Sequence, residues 1–137
     1  MKFTGSEVKT LTAIMPQVAS GEATAINGPS IDRQGYLSAV VACQVGNASG
    51  SPTRFGATFK VQHKSGESAW ADVASQTYTF SGETVATMNN IGEIDIDLRG
   101  CGRYVRCVAT PTFTAGSSPK IELGAVIVLG EAEVGPA

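Results

Sequence analysis

The sequence predicts an all-β fold: a single antiparallel β-sandwich or jelly roll of about eight or nine strands. Three observations lead there. Apolar residues recur with a period of two in one segment after another, which in an extended chain gathers them on one face of a sheet. Turn-forming runs such as NGPS at 27–30, SGES at 65–68 and TAGSSP at 114–119 punctuate the chain about every ten residues. No stretch carries the period of an amphipathic helix longer than a turn or two. With 137 residues, 42% of them apolar, the chain can bury a real core without disulfide or metal staples. No linker or fixed-period repeat divides it, so residues 1–137 are expected to form one domain.

Taken in order, residues 1–7 are short, polar and unpatterned, and read as a flexible or partner-bound N-terminal arm. Residues 8–18 read as an edge strand, because Pro16 cannot donate to a ladder. Lys2, Phe3, Val8 and Leu11 are the interface candidates of this end. A short strand at 23–26 and the 27–30 turn lead to residues 36–45, where Leu37, Ala39, Val41, Cys43 and Val45 share a face. Val40 and Ala42 make the opposite face apolar too, which argues for a central strand or a covered second face. Residues 46–53 read as a loop.

Phe55, Ala57, Phe59 and Val61 then alternate with Thr58, Lys60 and Gln62. After the 65–68 turn, Trp70 and Val73 begin the return, with Trp70 closing one end of the core. Residues 77–80 are read as a further short strand, and residues 84–88 follow Gly82-Glu83 and lead through Asn89-Asn90 to the next unit. The most informative stretch is 91–113. Ile94, Ile96 and Leu98 alternate there with Glu93, Asp95 and Asp97; a Gly-rich turn at 99–102 follows. Val105, Cys107 and Ala109 then oppose Tyr104, Arg106, Val108 and Thr110. Residues 121–129 are apolar enough to be expected buried on both faces, and residues 131–137 read as a loose tail. The expected core is built from Leu37, Val41, Phe55, Phe59, Val61 and Trp70, with Ile94, Ile96, Val105 and Cys107 facing them.

The net charge of −2 and the lack of any basic run give no reason to expect nucleic acid as a partner. Residues 1–5 lack the apolar core of a signal peptide, and no 18-residue apolar run exists, so no membrane is expected and synthesis in a cytoplasm is. The three cysteines form no CxxC pair. Cys43 and Cys107 sit inside strand runs, where a free thiol acts as a small hydrophobe.

No motif calls for catalysis. The only histidine, His63, stands at a strand end beside Lys64 with no nucleophile elbow to serve, and reads as a surface or turn-supporting residue. Glu93, Asp95 and Asp97 line one strand face about 6.5–7 Å apart, so a shared cation or an acid–base pair is geometrically open. A solvated face, or an acidic strip meeting basic residues of a partner, is the commoner use of such a row. No phosphate-binding loop opens a helix. The chain is therefore expected to be no enzyme, with no catalytic residues, no cofactor and no metal. Arg103 and Arg106 flank Tyr104 and are candidates for an interface; equally, Arg106 can cover the sheet with its aliphatic stem.

Two segments carry a family resemblance. VQHKSGESAWADV (61–73) and LRGCGRYVR (98–106), closed by VIVLG (126–130) and joined by IDRQGY (31–36), resemble the small β-sandwich virion proteins of tailed bacteriophages that decorate or cement the head. The likeness spans residues 26–130. It implies a structural virion protein on the capsid exterior, made in the bacterial host cytoplasm. Such a protein bridges subunits of the major capsid protein and associates with itself, most simply as a trimer. A place at the tail or neck is the related alternative. The Trp70 and RYVR pairing is also similar to discoidin-type modules that bind carbohydrate, although the terminal cysteine pair and exposed aromatic loop tips of that pattern are missing here.

Overall fold

The computed structural model describes residues 8–20, 24–66, 68–83 and 91–132. Among them run nine strands: β1 (Lys9–Ser20), β2 (Ile26–Asn27), β3 (Ile31–Asp32), β4 (Tyr36–Ser49), β5 (Arg54–Lys64), β6 (Ala71–Glu83), β7 (Ile91–Asp97), β8 (Tyr104–Thr114) and β9 (Lys120–Ala132). They form two antiparallel sheets. The first has the order β1-β9-β4-β7; the second runs β2-β8-β5-β6, with β3 also on β8. β2 and β3 lie in line along β8, with Ile26 opposite Ala109 and Ile31 opposite Val105. Pro29 between them has no N–H to give, so the strand breaks there. Counted as one interrupted strand, they complete a jelly-roll β-sandwich, the fold class expected.

The period-two pattern is what closes the sandwich. Phe55, Ala57, Phe59 and Val61 of β5 turn inward against Val41, Cys43 and Val45 of β4 and Ile127 and Leu129 of β9, all buried. Phe59 meets Phe80 edge to face, with ring centroids 5.9 Å apart. No polar or charged residue is buried among the described residues, so apolar burial dominates the cohesion. Among the described residues β1 pairs with β9 alone, which makes it an edge strand. Its ladder slips between Thr12 and Ile14 and again between Ile14 and Gln17, around the proline that cannot join it.

Several local expectations change. The strands on either side of the 99–102 turn are not sheet neighbours: β7 belongs to the first sheet and β8 to the second. Between them a 3-10 turn, Leu98–Gly100, is capped by the Asp97 carboxylate, which accepts from the Arg99 N–H at 3.0 Å. Leu98 is fully buried under this crossing. Alternation within each strand was legible, but which sheet each joins depends on partners far away in sequence. Residues 77–80 belong to one long β6, β4 runs on to Ser49, and β9 includes Glu131 and Ala132, which were read as tail. Residues 84–88 and 133–137 lie outside the described residues.

Leu37 and Trp70 are only half-buried. Leu37 opens the strand at the rim, and Trp70 precedes β6 on the outside of the second sheet. Residues 121–129 alternate strictly instead of being buried on both faces. Ile121, Leu123, Ala125, Ile127 and Leu129 point inward, whereas Val126 is 41% exposed. The reason is plain: the second sheet covers one face of β9, and nothing in the described chain covers the other.

Candidate interaction surfaces

The Arg103–Arg106 segment lies on β8 and the approach to it, at one corner of the second sheet. β8 pairs with β5 so that Tyr104 stands opposite Lys64 and Arg106 opposite Gln62. Arg106 donates from Nε to Gln62 Oε1 at 2.9 Å, and its guanidinium lies 4.5 Å from the Trp70 ring centroid. Lys64 Nζ approaches the same ring at 5.0 Å. The ring holds both cations by its quadrupole. Among the described residues neither forms an ion pair with a carboxylate. The network continues sideways: Gln62 Nε2 donates to Asp72 Oδ1 at 2.9 Å, and Lys60 Nζ stands 3.1 Å from the same oxygen. The hydrogen bond from Gln62, and then Lys60, lowers the Asp72 pKa below its ordinary value.

Beside this cluster Arg103 makes a two-pronged pair with Asp32 of β3, at 3.1 Å and 2.8 Å, and lies 5.4 Å from the Tyr104 ring. Arg103 is the first cause, and the Gln34 backbone N–H the second, of a lowered Asp32 pKa. The backbone beneath is pinned from two sides. Arg33 donates to the Cys101 carbonyl at 2.7 Å and the Gly102 carbonyl at 3.1 Å. The Gly102 N–H donates to His63 Nδ1 at 2.9 Å, so a neutral His63 carries its proton on Nε2. Gly102 is required at this point, because a Cβ there would strike the Lys64 carbonyl. His63 thus supports a turn, and Arg33 is the residue that sequence reasoning missed; its partners lie 68 and 69 positions away.

The second surface is the outer face of β1-β9-β4-β7. Strand register builds it in rows. Thr12, Val126, Ala42 and Glu93 make one row across the sheet, and Thr10, Val128, Val40 and Asp95 make the next. Each row runs from a threonine at the β1 edge through two apolar residues to a carboxylate at the β7 edge. Met15 is 68% exposed, Ile91 63% and Val18 59%. Val18, Ile91 and Val126 line a shallow groove of about 690 Å³, and Val8 and Val128 line a second of about 500 Å³ that reaches Asp95. Asp97 is paired with Arg99 at 3.0 Å, and that arginine lowers its pKa. Glu93 and Asp95 have no ion pair among the described residues.

The remaining candidates divide. Val8 borders the second groove, whereas Leu11 is partly buried and packs against the core. Lys2 and Phe3 lie outside the described residues. Cys43, Cys101 and Cys107 are free and buried. Burial pushes the Cys43 thiol up to about 12 and raises that of Cys107 further, so both are protonated at neutral pH and poor nucleophiles. Among the described residues no group of three or more His, Cys, Asp or Glu is placed to hold a metal ion, and no helix is long and apolar enough to cross a membrane.

Fold and surfaces together define a jelly-roll sandwich with exposed apolar residues on the outside of its first sheet and a cationic, Trp70-centred corner on its second. Solved structures with this fold include the VP2 subviral particle of infectious bursal disease virus. It matches at a TM-score of 0.61 and 13% identity over 94% of this chain and 34% of that one. The structure of the Gx strain of the same virus matches at 0.58 and 11% identity, over 92% and 33%. SPBc2 prophage-derived protein YomS is a weaker match, at 0.43 and 14% identity, over 89% and 93%. At these identities the likeness is one of fold, and this chain spans about a third of the viral chains it matches. No protein-family model matches the chain, and no curated protein matches it.

Proposed function

We propose that this chain is a structural virion protein of the decoration or cement type, bridging major capsid subunits on the outside of a phage head. The observation that supports it best is the outer face of β1-β9-β4-β7, where Val18, Ile91 and Val126 stand exposed and line one groove. A monomer with no partner rarely keeps such a surface. The fold adds support, since the VP2 subviral particle of infectious bursal disease virus carries the same sandwich within a longer chain. The low charge of the sequence fits too, because a surface with few ions enters contacts without desolvating them. Repeated around a closed shell, individually weak attachments become multivalent and hold. Residues 1–7 serve in this reading as an arm that adds backbone pairing to a neighbour.

The test is stoichiometric. Purified protein is added to heads lacking it, and bound copies are counted by quantitative mass spectrometry. A saturating copy number that is a multiple of the capsid's symmetry supports the reading; no retention on heads, or retention on isolated tails alone, refutes it. Deleting residues 1–7 should lower occupancy while leaving the far-ultraviolet spectrum of the free protein unchanged. A carbohydrate-binding role draws less support, because Lys64 and Arg106 already lie against the Trp70 ring on which a sugar would stack.

A further inference from the structure

We propose that the protein associates with itself head to tail, the outer face of β1-β9-β4-β7 of one copy seating on the Trp70–Arg106–Lys64 corner of the next. The two surfaces complement each other in charge. The β7 border offers Glu93 and Asp95 without ion partners, and the corner offers Lys64 and Arg106 without carboxylates. They complement each other in character as well. An exposed aliphatic strip of Val126 and Ile91 meets a corner built of Trp70, Tyr104 and arginines, the residue types that dominate interface energetics.

A two-fold contact of the acidic faces lacks this charge match. It would bring Glu93 and Asp95 over Thr12 and Thr10 of the partner, or over their own counterparts. The face is large enough: strands of 12, 13, 14 and 7 residues, about 4.8 Å apart and rising ~3.3 Å per residue, make roughly 700 Å², near the ~800 Å² per partner of a standard interface. Because the surfaces lie on opposite sheets of one sandwich, a single copy can use both at once. Such a joint propagates, and it closes into a ring where the rotation per copy allows. The corner also gives Arg106 its role: Trp70 and Gln62 hold its guanidinium ready for an incoming carboxylate.

The test uses two charge-reversed forms of the full chain, Glu93→Lys/Asp95→Lys and Lys64→Glu/Arg106→Glu, followed by sedimentation velocity from about 1 µM to about 1 mM, the range in which modest contacts appear. The native chain is expected to grow in sedimentation coefficient with concentration. Each reversed form alone is expected to lose at least about tenfold in self-affinity. Mixed in equal amounts, the two should recover assembly as an alternating chain, because one joint between them is native and the other restores the charge match with both signs reversed. Lys64→Glu alone repeats the test if replacing Arg106 impairs folding. A native chain that stays monomeric throughout overturns the proposal. So does a Lys64/Arg106 form that still dimerises by itself, which would mark a two-fold contact, and so does a mixture that stays monomeric. No capsid enters the measurement, so its outcome is separate from that of virion attachment.

Discussion

Phe59 is the residue on which the two-sheet core can be tested most directly. It is fully buried at the middle of β5, flanked by Tyr78 of β6 and Ala109 of β8, and its ring packs on Phe80. In Phe59→Ala, loss of apolar transfer accounts for about 2 kcal/mol. A partly collapsed cavity of roughly 80 Å³, at ~24 cal/mol per Å³, adds about 2 kcal/mol more. The expected cost is therefore about 4 kcal/mol, which is a large part of the stability of a domain this size. Urea unfolding followed by circular dichroism measures it in every variant, with tryptophan fluorescence as a second probe where Trp70 is kept and an unchanged slope showing that the fold is the same. Trp70→Ala is the internal control. Trp70 is half-buried and held by two cations, each worth about 0.5–1 kcal/mol at exposed sites, so truncating it should cost about 1–2 kcal/mol. A Phe59 cost below about 1 kcal/mol, or a Trp70 cost above that of Phe59, would refute the placement of the core.

Other expectations are independent of that one. Cys43 and Cys107 should resist a thiol reagent in the native protein at pH 7 and react on unfolding; fast native labelling of either would contradict their burial. Because Cys43 is raised toward about 12 when folded, its contribution to stability is full below the ordinary thiol range near pH 8.5 and declines as pH climbs above it, visible as a falling melting temperature that Cys43→Ala lessens. Asp32 has the opposite sign: its pKa is lowered by Arg103, so its contribution is present above the ordinary carboxylate value and lost as pH falls through the folded one. The pair is exposed, so Asp32→Asn should lower the melting temperature by no more than a few degrees at pH 7, and by progressively less as the solution is acidified. Gly92→Ala should destabilise by about 1–3 kcal/mol, since its new methyl group meets the Tyr78 ring, and adding Tyr78→Leu should recover part of the loss.

Alternation was enough to place Phe59, Val61, Ile94, Val105 and Cys107 in the core, because a strand side chain has only two directions to choose from. It was also enough to notice that residues 36–45 and 121–129 are apolar on both faces. It could not say that the second face of each would be left bare, because that depends on whether any other layer of chain arrives to cover it. The bond from Arg33 to Cys101 and the pair of Arg103 with Asp32 join positions about seventy apart, and no local pattern encodes them. Trp70 was misplaced for a related reason. A large aromatic after a turn is usually core, but Lys64 and Arg106 offer this one a cationic seat on the outside instead. The candidate surfaces were thus legible as residue types on a strand face, and illegible as places in space.

The position of β9 bears on how the chain comes to be folded in a cell. β9, made after the other eight described strands, lies between β1 and β4. Until it emerges, β1 lacks the one sheet neighbour it has among the described residues, and the inward faces of both strands lack the lateral support that makes a sheet. The first sheet is therefore completed only once β9 has been made, by closing a loop of about a hundred residues, which belongs to the slow end of folding topologies. The nascent polypeptide meanwhile displays unpaired strand edges, so its yield should depend on chaperone supply and on temperature more than on codon usage early in the message.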